Sequence, residues 1–314
     1  MFIRPPGRHA APALAFCAAV TFGACLAEAR AQTPYDSINK AAAAGSITVH
    51  PIRGRISMLE GSGGNITVLT GPEGVFMVDA GIAVSRQKIE AALRDLNAGP
   101  IRHLVNTHWH WDHADGNRWV RASGATLMAH PSTIAHLGDT IRIDEWGHTF
   151  TPVPTGDRPT IAVGAERTMS MNGETVRITP FDTGHTDGDL LVHFVQSDVL
   201  ALGDTFWNGG YPFIDYHVGG GVDGVIRQAE FSLGKAMDGT RIVPGHGPVG
   251  SRIDLTAYRD MLVATRDRIS ELKRQGRTLE QVIAAKPTAA YDAKWGRSIV
   301  APDMFTALVY KSLH

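Results

Sequence analysis

The stretch that decides the fold is His108-Trp-His110-Trp-Asp112-His113, which places four side chains able to bind a metal within six residues. It directly follows residues 101–106, Ile-Arg-His-Leu-Val-Asn, which predict a strand. Loops at strand ends hold many functional side chains, because the strand fixes where they start. In an extended stretch His108 and His110 point the same way, whereas Asp112 and His113 lie beyond the bend. The spacing predicts two metal ions, because the two pairs of side chains face different directions.

Three further residues able to bind a metal lie at the ends of later predicted strands. His185 sits in the glycine-rich turn 182–189, Asp204 ends the strand 199–204, and His246 is enclosed in Pro-Gly-His-Gly-Pro. Glycine allows the backbone to approach a metal closely at such positions. Taken singly, each has an ordinary interpretation as a turn histidine or a helix-capping aspartate. Taken with the first motif, they predict one site.

The N-terminal segment has the features of a secretory signal peptide. Arg4 and Arg8 give a basic start, residues 10–26 are apolar, and Ala29-Arg30-Ala31 is a small-x-small cleavage site. We therefore expect a signal peptide at 1–31, a mature start at Gln32 and a periplasmic or secreted protein. No membrane association is expected unless Cys25 carries a lipid, which is the alternative reading of Gly-Ala-Cys at 23–25.

In their order along the chain, the metal-binding segments resemble those of the metallo-β-lactamase superfamily. The resemblance rests on HxHxDH at 108–113, Gly-His at 184–185, Asp204 and Gly-His-Gly at 245–247, and spans residues 47–248. It implies an α/β fold, an αββα sandwich with the site at one edge between the two sheets. One zinc ion is then expected on His108, His110 and His185 and a second on Asp112, His113 and His246, with Asp204 bridging both. Asp79 is expected to be structural.

The ligand set narrows the expected chemistry. Both cysteines, Cys17 and Cys25, lie in the expected signal peptide, so the mature chain has no cysteine for the second metal. A bridging Asp204 resembles glyoxalase II and the acyl-homoserine lactonases. This resemblance implies a zinc-dependent metallohydrolase that attacks an ester, lactone or thioester carbonyl with a metal-bridging hydroxide. Asp112 and Asp204 are the expected catalytic carboxylates, and iron or manganese are alternative metals.

Two other functions stay open at this point. The expected export keeps a periplasmic metallo-β-lactamase acting on β-lactam antibiotics in the comparison, and a non-catalytic periplasmic zinc-binding protein is the alternative outside enzymes. A nucleic-acid partner is not expected, because 30 Lys and Arg balance 31 Asp and Glu for a net charge of -1 and form no visible cluster. The expected partner is a small-molecule substrate, and the oligomeric state is left open.

The substrate pocket is expected beside Asp204, in the aromatic stretch 206–213. Trp207, Tyr211 and Phe213 are the candidate apolar walls, with Asn208 or Tyr211 as a candidate oxyanion donor. The alternative is a loop tucked under the helices. Trp109 and Trp111 alternate with the ligands and are expected to pack in the core, with a platform for the substrate as the alternative.

The rest of the chain reads as strands and helices in the order of a sandwich. Short β-branched runs at 47–52, 56–59, 65–69 and 75–78, separated by glycines, predict a strand meander. Later strands alternate with helices, and the proline-rich segment 138–167 is expected to be a surface insertion or lid. We expect a catalytic domain at 32–250 and a helical C-terminal extension at 251–314 packed on it.

Overall fold

Two facing sheets and one separate hairpin hold the fourteen strands found within residues 1–3 and 32–313, the part of the chain that the computed structural model describes. The strands are β1 (Thr48–Arg53), β2 (Ile56–Glu60), β3 (Ile66–Leu69), β4 (Val75–Val78), β5 (Ile101–Val105), β6 (Thr126–Ala129), β7 (Ile141–Ile143), β8 (His148–Phe150), β9 (Ile161–Ala162), β10 (Arg167–Met171), β11 (Glu174–Pro180), β12 (Leu190–Phe194), β13 (Val199–Ala201) and β14 (Arg241–Val243).

The first sheet has the order β1-β2-β3-β4-β5-β6-β9 and the second the order β10-β11-β12-β13-β14. Strands β1 to β4 form the predicted antiparallel meander, and β5, β6 and β9 then add in parallel. In the second sheet, β13 and β14 are parallel. The carboxyl ends of parallel strands lie at one edge of a sheet, which is where the predicted metal-binding segments follow β5, β13 and β14.

Ten helices cover the sheets in the described part of the chain. They are α1 (Pro34–Ala44), α2 (Arg86–Asp95), α3 (Trp111–Ala114), α4 (Asn117–Ala122), α5 (Pro131–His136), α6 (Val222–Lys235), α7 (Arg252–Arg274), α8 (Leu279–Ala284), α9 (Asp292–Trp295) and α10 (Pro302–Ser312). The four from α7 onward form the predicted helical C-terminal extension.

Alternation of side chains across the strands creates the layers. Phe76 of β4 points between the sheets, where its ring centroid lies 6.1 Å from that of Phe194 on β12. Val75 and Met77 face the other way and pack in one cluster with Ile89 of α2. Helices α6 and α7 cover the outer face of the second sheet. The layers run helix, sheet, sheet, helix, which confirms the αββα sandwich.

Segment 138–167 lies mostly at the surface, as expected, but it contains three short strands that the sequence did not predict. Strands β7 and β8 form a hairpin whose Ile143 and Trp146 are buried in the same apolar cluster as α6 and α7. Strand β9 extends the first sheet by one parallel strand, and the following Val163 is buried. Prolines and glycines hid these elements, because they break the periodicity that marks strands.

Helix α1 precedes the first predicted strand and was not anticipated from the sequence. Thr33 and Asp36 form a capping box and Pro34 occupies the first turn, a pattern typical of a helix start. The expected signal peptide cannot be compared, because residues 4–31 lie outside the described part. Within that part, no helix combines the length and apolar character needed to span a membrane.

Candidate metal centre

The HxHxDH motif lies where β5 runs into α3, as the sequence predicts. His108 and His110 occupy the loop after β5, and Asp112 and His113 belong to the single turn of α3. The peptide oxygen of His113 accepts from the Ala80 backbone N–H across 2.8 Å, which ties this turn to the loop after β4. The motif therefore starts at the edge of the sheet and turns back across it.

Three histidines form the first group of donors. Nε2 of His108 lies 3.1 Å from Nδ1 of His110, and Nε2 of His185 lies 3.0 Å from that same Nδ1. Oδ2 of Asp204 is 3.6 Å from Nε2 of His185 and 4.0 Å from Nε2 of His108. All four side chains are buried and lie close enough to hold one metal ion.

Asp112, His113 and His246 form the second group. Nε2 of His113 and Nε2 of His246 are 3.5 Å apart, and Oδ2 of Asp112 is 3.4 Å from Nε2 of His246. Oδ1 of Asp204 lies 3.0 Å from Nε2 of His113 and 3.4 Å from Nε2 of His246. Asp204 therefore turns one carboxylate oxygen toward each group, and all seven predicted ligands come together.

In four of the histidines, the ring nitrogen that faces away from the donor group contacts an oxygen atom of the protein. The contacts are His108 Nδ1 to Thr107 Oγ1 at 3.0 Å, His110 Nε2 to Asp215 Oδ2 at 2.9 Å, His113 Nδ1 to Asp79 Oδ2 at 2.8 Å and His185 Nδ1 to the Phe213 carbonyl at 2.8 Å. A ring nitrogen that donates to these acceptors leaves its partner nitrogen unprotonated. Unprotonated nitrogens that face each other at about 3 Å repel unless a cation lies between them. The donor set therefore fits divalent metal ions.

Asp79 holds the motif from outside the donor set. It accepts from the Thr107 N–H at 2.7 Å, from Thr107 Oγ1 at 2.8 Å and from His113. Its backbone has a φ of 66°, a left-handed conformation that aspartate tolerates better than most residues. Asp79 thus positions a ligand, in keeping with the structural role expected for it.

Charge in the site favours bound cations. Burial lowers the pKa of His108 and of His185, so both imidazoles stay neutral. Burial alone would raise the pKa of Asp204, but His246 and His113 outweigh it and hold that pKa well below its ordinary value. Neutral His108 and His185 and an ionised Asp204 are the protonation states that metal binding requires. Burial alone would lower the pKa of His113, but Asp204, Asp112 and Asp79 outweigh it and raise that pKa, so a metal ion at His113 would displace a proton.

A cleft of about 270 Å³ opens above the donors, and we call it the metal cleft. Its aromatic walls are Trp111, Trp146, Trp207 and Phe213. The side chain of His246 is 23% exposed, whereas His108, His113 and His185 are buried. A substrate therefore reaches the centre from the side of the second group.

Of the four predicted pocket residues, two line the metal cleft and two do not. Trp207 and Phe213 line the metal cleft, and the Trp207 ring centroid lies 4.1 Å from that of His246. Tyr211 instead stacks on Phe305 of α10 at 4.4 Å.

Neither candidate oxyanion donor is among the residues that line the metal cleft. The Tyr211 hydroxyl donates to Asp292 Oδ1 at 2.8 Å, in the core beneath the C-terminal helices. The Asn208 amide donates to the Pro248 carbonyl at 2.9 Å. Because both groups already have partners away from the cleft, neither Tyr211 nor Asn208 is a cleft residue.

The motif tryptophans pack as expected. Trp109 contacts Phe150 of β8 edge to face at 5.4 Å, and Trp111 contacts Trp146 at 5.8 Å. Trp111 also lines the metal cleft, so it both packs in the core and forms part of the cleft wall. Sequence reasoning missed Trp146 and Asp215, because no local pattern shows that the hairpin and the loop after Phe213 return to this site.

Comparison with known proteins agrees with this geometry. The family model described as the metallo-beta-lactamase superfamily matches residues 59–262. The hydroxyacylglutathione hydrolase of Polaromonas sp. (strain JS666) is 29% identical over 163 residues, which cover 51% of this chain and 54% of that protein. The hydroxyacylglutathione hydrolase of Gloeobacter violaceus is 31% identical over 135 residues, 43% of this chain and 44% of that one. The chain spans about half the length of these curated relatives.

Solved structures share the fold. The stereoselective inverting sec-alkylsulfatase Pisa1 from Pseudomonas sp. has a TM-score of 0.65 at 15% identity, covering 84% of this chain and 50% of that one. A metallo-beta-lactamase from Pontibacter korlensis has a TM-score of 0.56 at 16% identity, covering 69% of this chain and 99% of that one. At such identities the likeness shows the fold alone.

Proposed function

Because the chain belongs to the metallo-beta-lactamase superfamily, we propose that it is a dinuclear zinc hydrolase acting on the carbonyl of an ester, a lactone or a thioester. The observation that carries the proposal is Asp204, whose Oδ1 and Oδ2 face different groups of donors. One carboxylate placed between two sets of ligands fits a bridge between two ions. Iron or manganese are the alternative metals, since histidine and carboxylate suit all three.

The residues around the centre suit hydrolysis. Two zinc ions held by these ligands would supply an activated water near neutral pH and a Lewis acid for the carbonyl. Asp112 borders both the second group and the metal cleft, so its carboxylate is placed to orient the attacking water and accept its proton. The aromatic walls exclude bulk water, which strengthens every charge interaction within the cleft.

Acyl esters are favoured over β-lactams by the second group of ligands. It consists of Asp112, His113 and His246, and the described residues 32–313 contain no cysteine. A bridging carboxylate adds negative charge, which favours leaving groups that depart as an alkoxide or thiolate stabilised by zinc. The curated relatives named hydroxyacylglutathione hydrolase support the same ranking of acyl substrates above β-lactams.

A β-lactamase is the second candidate. The observation that favours it is the solved metallo-beta-lactamase from Pontibacter korlensis, 99% of which is covered by this chain's fold. A non-catalytic zinc-binding protein is the third. The open cleft and the partly exposed His246 support catalysis against it, because a carrier has no use for a substrate cleft.

Activity on a panel of substrates tests how these three candidate functions are ranked. The metal-loaded protein beginning at Gln32 is assayed with an aryl ester, an acyl lactone, a thioester, a phosphodiester and nitrocefin. We expect kcat/KM for the ester, lactone or thioester to exceed that for nitrocefin. Efficient nitrocefin hydrolysis with inert esters and lactones would favour the β-lactamase. Inertness toward every substrate, with two metals bound, would favour the zinc-binding protein.

A further inference from the structure

Two apolar residues that line the metal cleft come from segments outside the family-matched span 59–262. Ile38 belongs to α1, and Ile299 lies between α9 and α10. Both add apolar surface to a cleft that already has four aromatic walls. The N-terminal helix and the C-terminal extension therefore shape the entrance to the site.

Contacts to the catalytic domain fix Ile38 at this entrance. The Tyr35 ring of α1 stacks on His148 of β8 at 3.6 Å, with an interplanar angle of 13°. Ser62 Oγ donates to the Ile38 carbonyl at 3.3 Å. On the other side of the rim, Val300 is fully buried and anchors the exposed Ile299 that precedes it. These isoleucines are thus held in place rather than left free at a surface.

The cleft offers no cationic side chain to a substrate. Among the described residues that line it, there is no lysine or arginine. Glu60 is the one ionisable lining residue outside the ligand set, and its Oε2 lies 2.6 Å from His50 Nε2. Burying an unpaired carboxylate costs several kcal/mol, on the order of a hundredfold or more in affinity. A negatively charged substituent is therefore disfavoured along these walls.

The polar lining groups are already committed to partners in the protein. Asn65 Nδ2 donates to the carbonyls of Pro244 at 3.1 Å and Gly247 at 2.9 Å. Ser62 donates to the Ile38 carbonyl. Away from the metal ligands, the side-chain donors of Asn65 and Ser62 are thus occupied, and recognition rests mainly on apolar surface.

We propose that Ile38, Ile299 and Trp146 select substrates whose acyl group is an uncharged hydrocarbon, such as an aliphatic ester or lactone. This inference rests on the proposed hydrolase function and narrows it. A cavity of about 150 Å³ holds the six carbons of a benzene ring, so a cleft of about 270 Å³ holds roughly ten carbons. A glutathione thioester carries two carboxylates in its thiol part, and the described residues that line the cleft include no lysine or arginine to pair with them.

Binding of two uncleaved analogues tests the selection without relying on activity. Hexananilide and adipic acid monoanilide have the same chain length, and the second ends in a carboxylate where the first has a methyl. Calorimetry on the metal-loaded protein is expected to show hexananilide bound at least tenfold more tightly. Equal or tighter binding of the monoanilide, or no binding of either, would overturn the proposal.

A cation placed at the rim gives the second test. Ile299 is 42% exposed, so Ile299→Arg can fold without burying its charge. It is expected to bind adipic acid monoanilide at least tenfold better than the unmodified protein does. The control is Ile253→Arg, at a position 80% exposed that does not line the cleft, and it should leave both affinities unchanged.

An unaltered monoanilide affinity in Ile299→Arg would contradict the assignment of this residue. The analogues also separate this inference from the proposed function. A clear binding preference with no ester hydrolysed would remove only the proposed function, whereas hydrolysis without the preference would remove only the inference.

Discussion

Nε2 of His110 lies 2.9 Å from Oδ2 of Asp215, and both side chains are buried. The carboxylate holds the proton of His110 on Nε2 and so leaves Nδ1 free to face His108 and His185. The same Asp215 accepts from the His217 backbone N–H through Oδ1 at 3.2 Å. One residue outside the ligand set therefore fixes both a ligand and the turn beside it.

Asp215→Asn should weaken metal binding while leaving the fold intact. An amide keeps the shape but is a poorer acceptor for the His110 N–H, and loss of such a partner costs about 10 to 100-fold in metal affinity. Zinc affinity measured by competition with a chelator checks this. Asp260→Asn, on an exposed side chain of α7, is the control. Unchanged zinc affinity in Asp215→Asn would remove its positioning role.

Gly245→Ala should damage the centre by crowding Asp204. A Cβ at this glycine would collide with Asp204 Oδ1 and lie 2.7 Å from the Gly203 carbonyl carbon. We expect lost metal and a loss of unfolding free energy of about 1–3 kcal/mol. Gly234→Ala in α6 is the matched control: its Cβ meets nothing within 4 Å, and alanine favours helix by about 0.5–1 kcal/mol. Denaturant unfolding and elemental analysis of both variants decide it, and normal metal content in Gly245→Ala would refute the crowding.

The ligands were predictable from sequence, because each lies in a short glycine-rich or strand-end motif. His108 to His113 are adjacent in the chain, so their convergence needs only one loop. Asp215 and Trp146 reach the site through the tertiary fold, and nothing near them in the sequence reveals this. An aromatic residue beside a ligand looks the same whether it lines a cleft or packs in the core, which is why Tyr211 was misplaced.

The layers were predictable for a similar reason. Short β-branched runs separated by glycines mark the strands locally, so the meander could be predicted, and the sandwich followed from the order of strands and helices. The hairpin β7–β8 has few residues and sits among prolines. Its position depends on Trp146 packing against Phe213, with ring centroids 4.8 Å apart, and no periodicity encodes that contact.

Glu145 should make stability depend on acid pH. It lies in the β7–β8 turn, 3.0 Å from His217 Nε2, and accepts from Tyr216 and from Lys311 of α10. Burial alone would raise the pKa of Glu145, but these hydrogen bonds lower it from 4.5 to about 2. A depressed pKa stabilises the fold fully above pH 4.5, and this stability is lost as the pH falls from 4.5 toward 2.

The Glu145→Gln variant tests this dependence. Loss of the charge-assisted hydrogen bonds should lower the unfolding free energy by about 1–3 kcal/mol at neutral pH. The slope of stability against pH should also flatten between 4.5 and 2. Urea unfolding across this range is the measurement, with Glu230→Gln on the exposed face of α6 as control. An unchanged slope in Glu145→Gln would contradict the assignment.

We propose export as the fate of the chain in its host. The basic start, apolar stretch and small-x-small site predict a mature N-terminus at Gln32 and a periplasmic or secreted product. Mass analysis of the N-terminus from the native host measures this. A lipid on Cys25 would place the protein on a membrane surface, and an intact Met1 in the cytosol would defeat the proposal.

Asp204→Ala should lower activity most among the carboxylate variants. The change removes the residue shared by both groups of donors, and kcat/KM for an ester or lactone should fall at least about 10²-fold, as when one transition-state stabiliser is lost. The chelator-measured zinc affinity of the variant is expected to fall as well. A variant with full activity and two bound ions would show that the bridge is not needed.

Metal titration of the metal-free protein tests the central claim most directly. Zinc is added in steps while bound metal is measured by elemental analysis and hydrolysis of 4-nitrophenyl hexanoate is followed on the same samples. We expect saturation at two ions per chain, with activity appearing as the second ion binds. Saturation at one ion with full activity, or two bound ions with neither esters nor lactones hydrolysed, would contradict it.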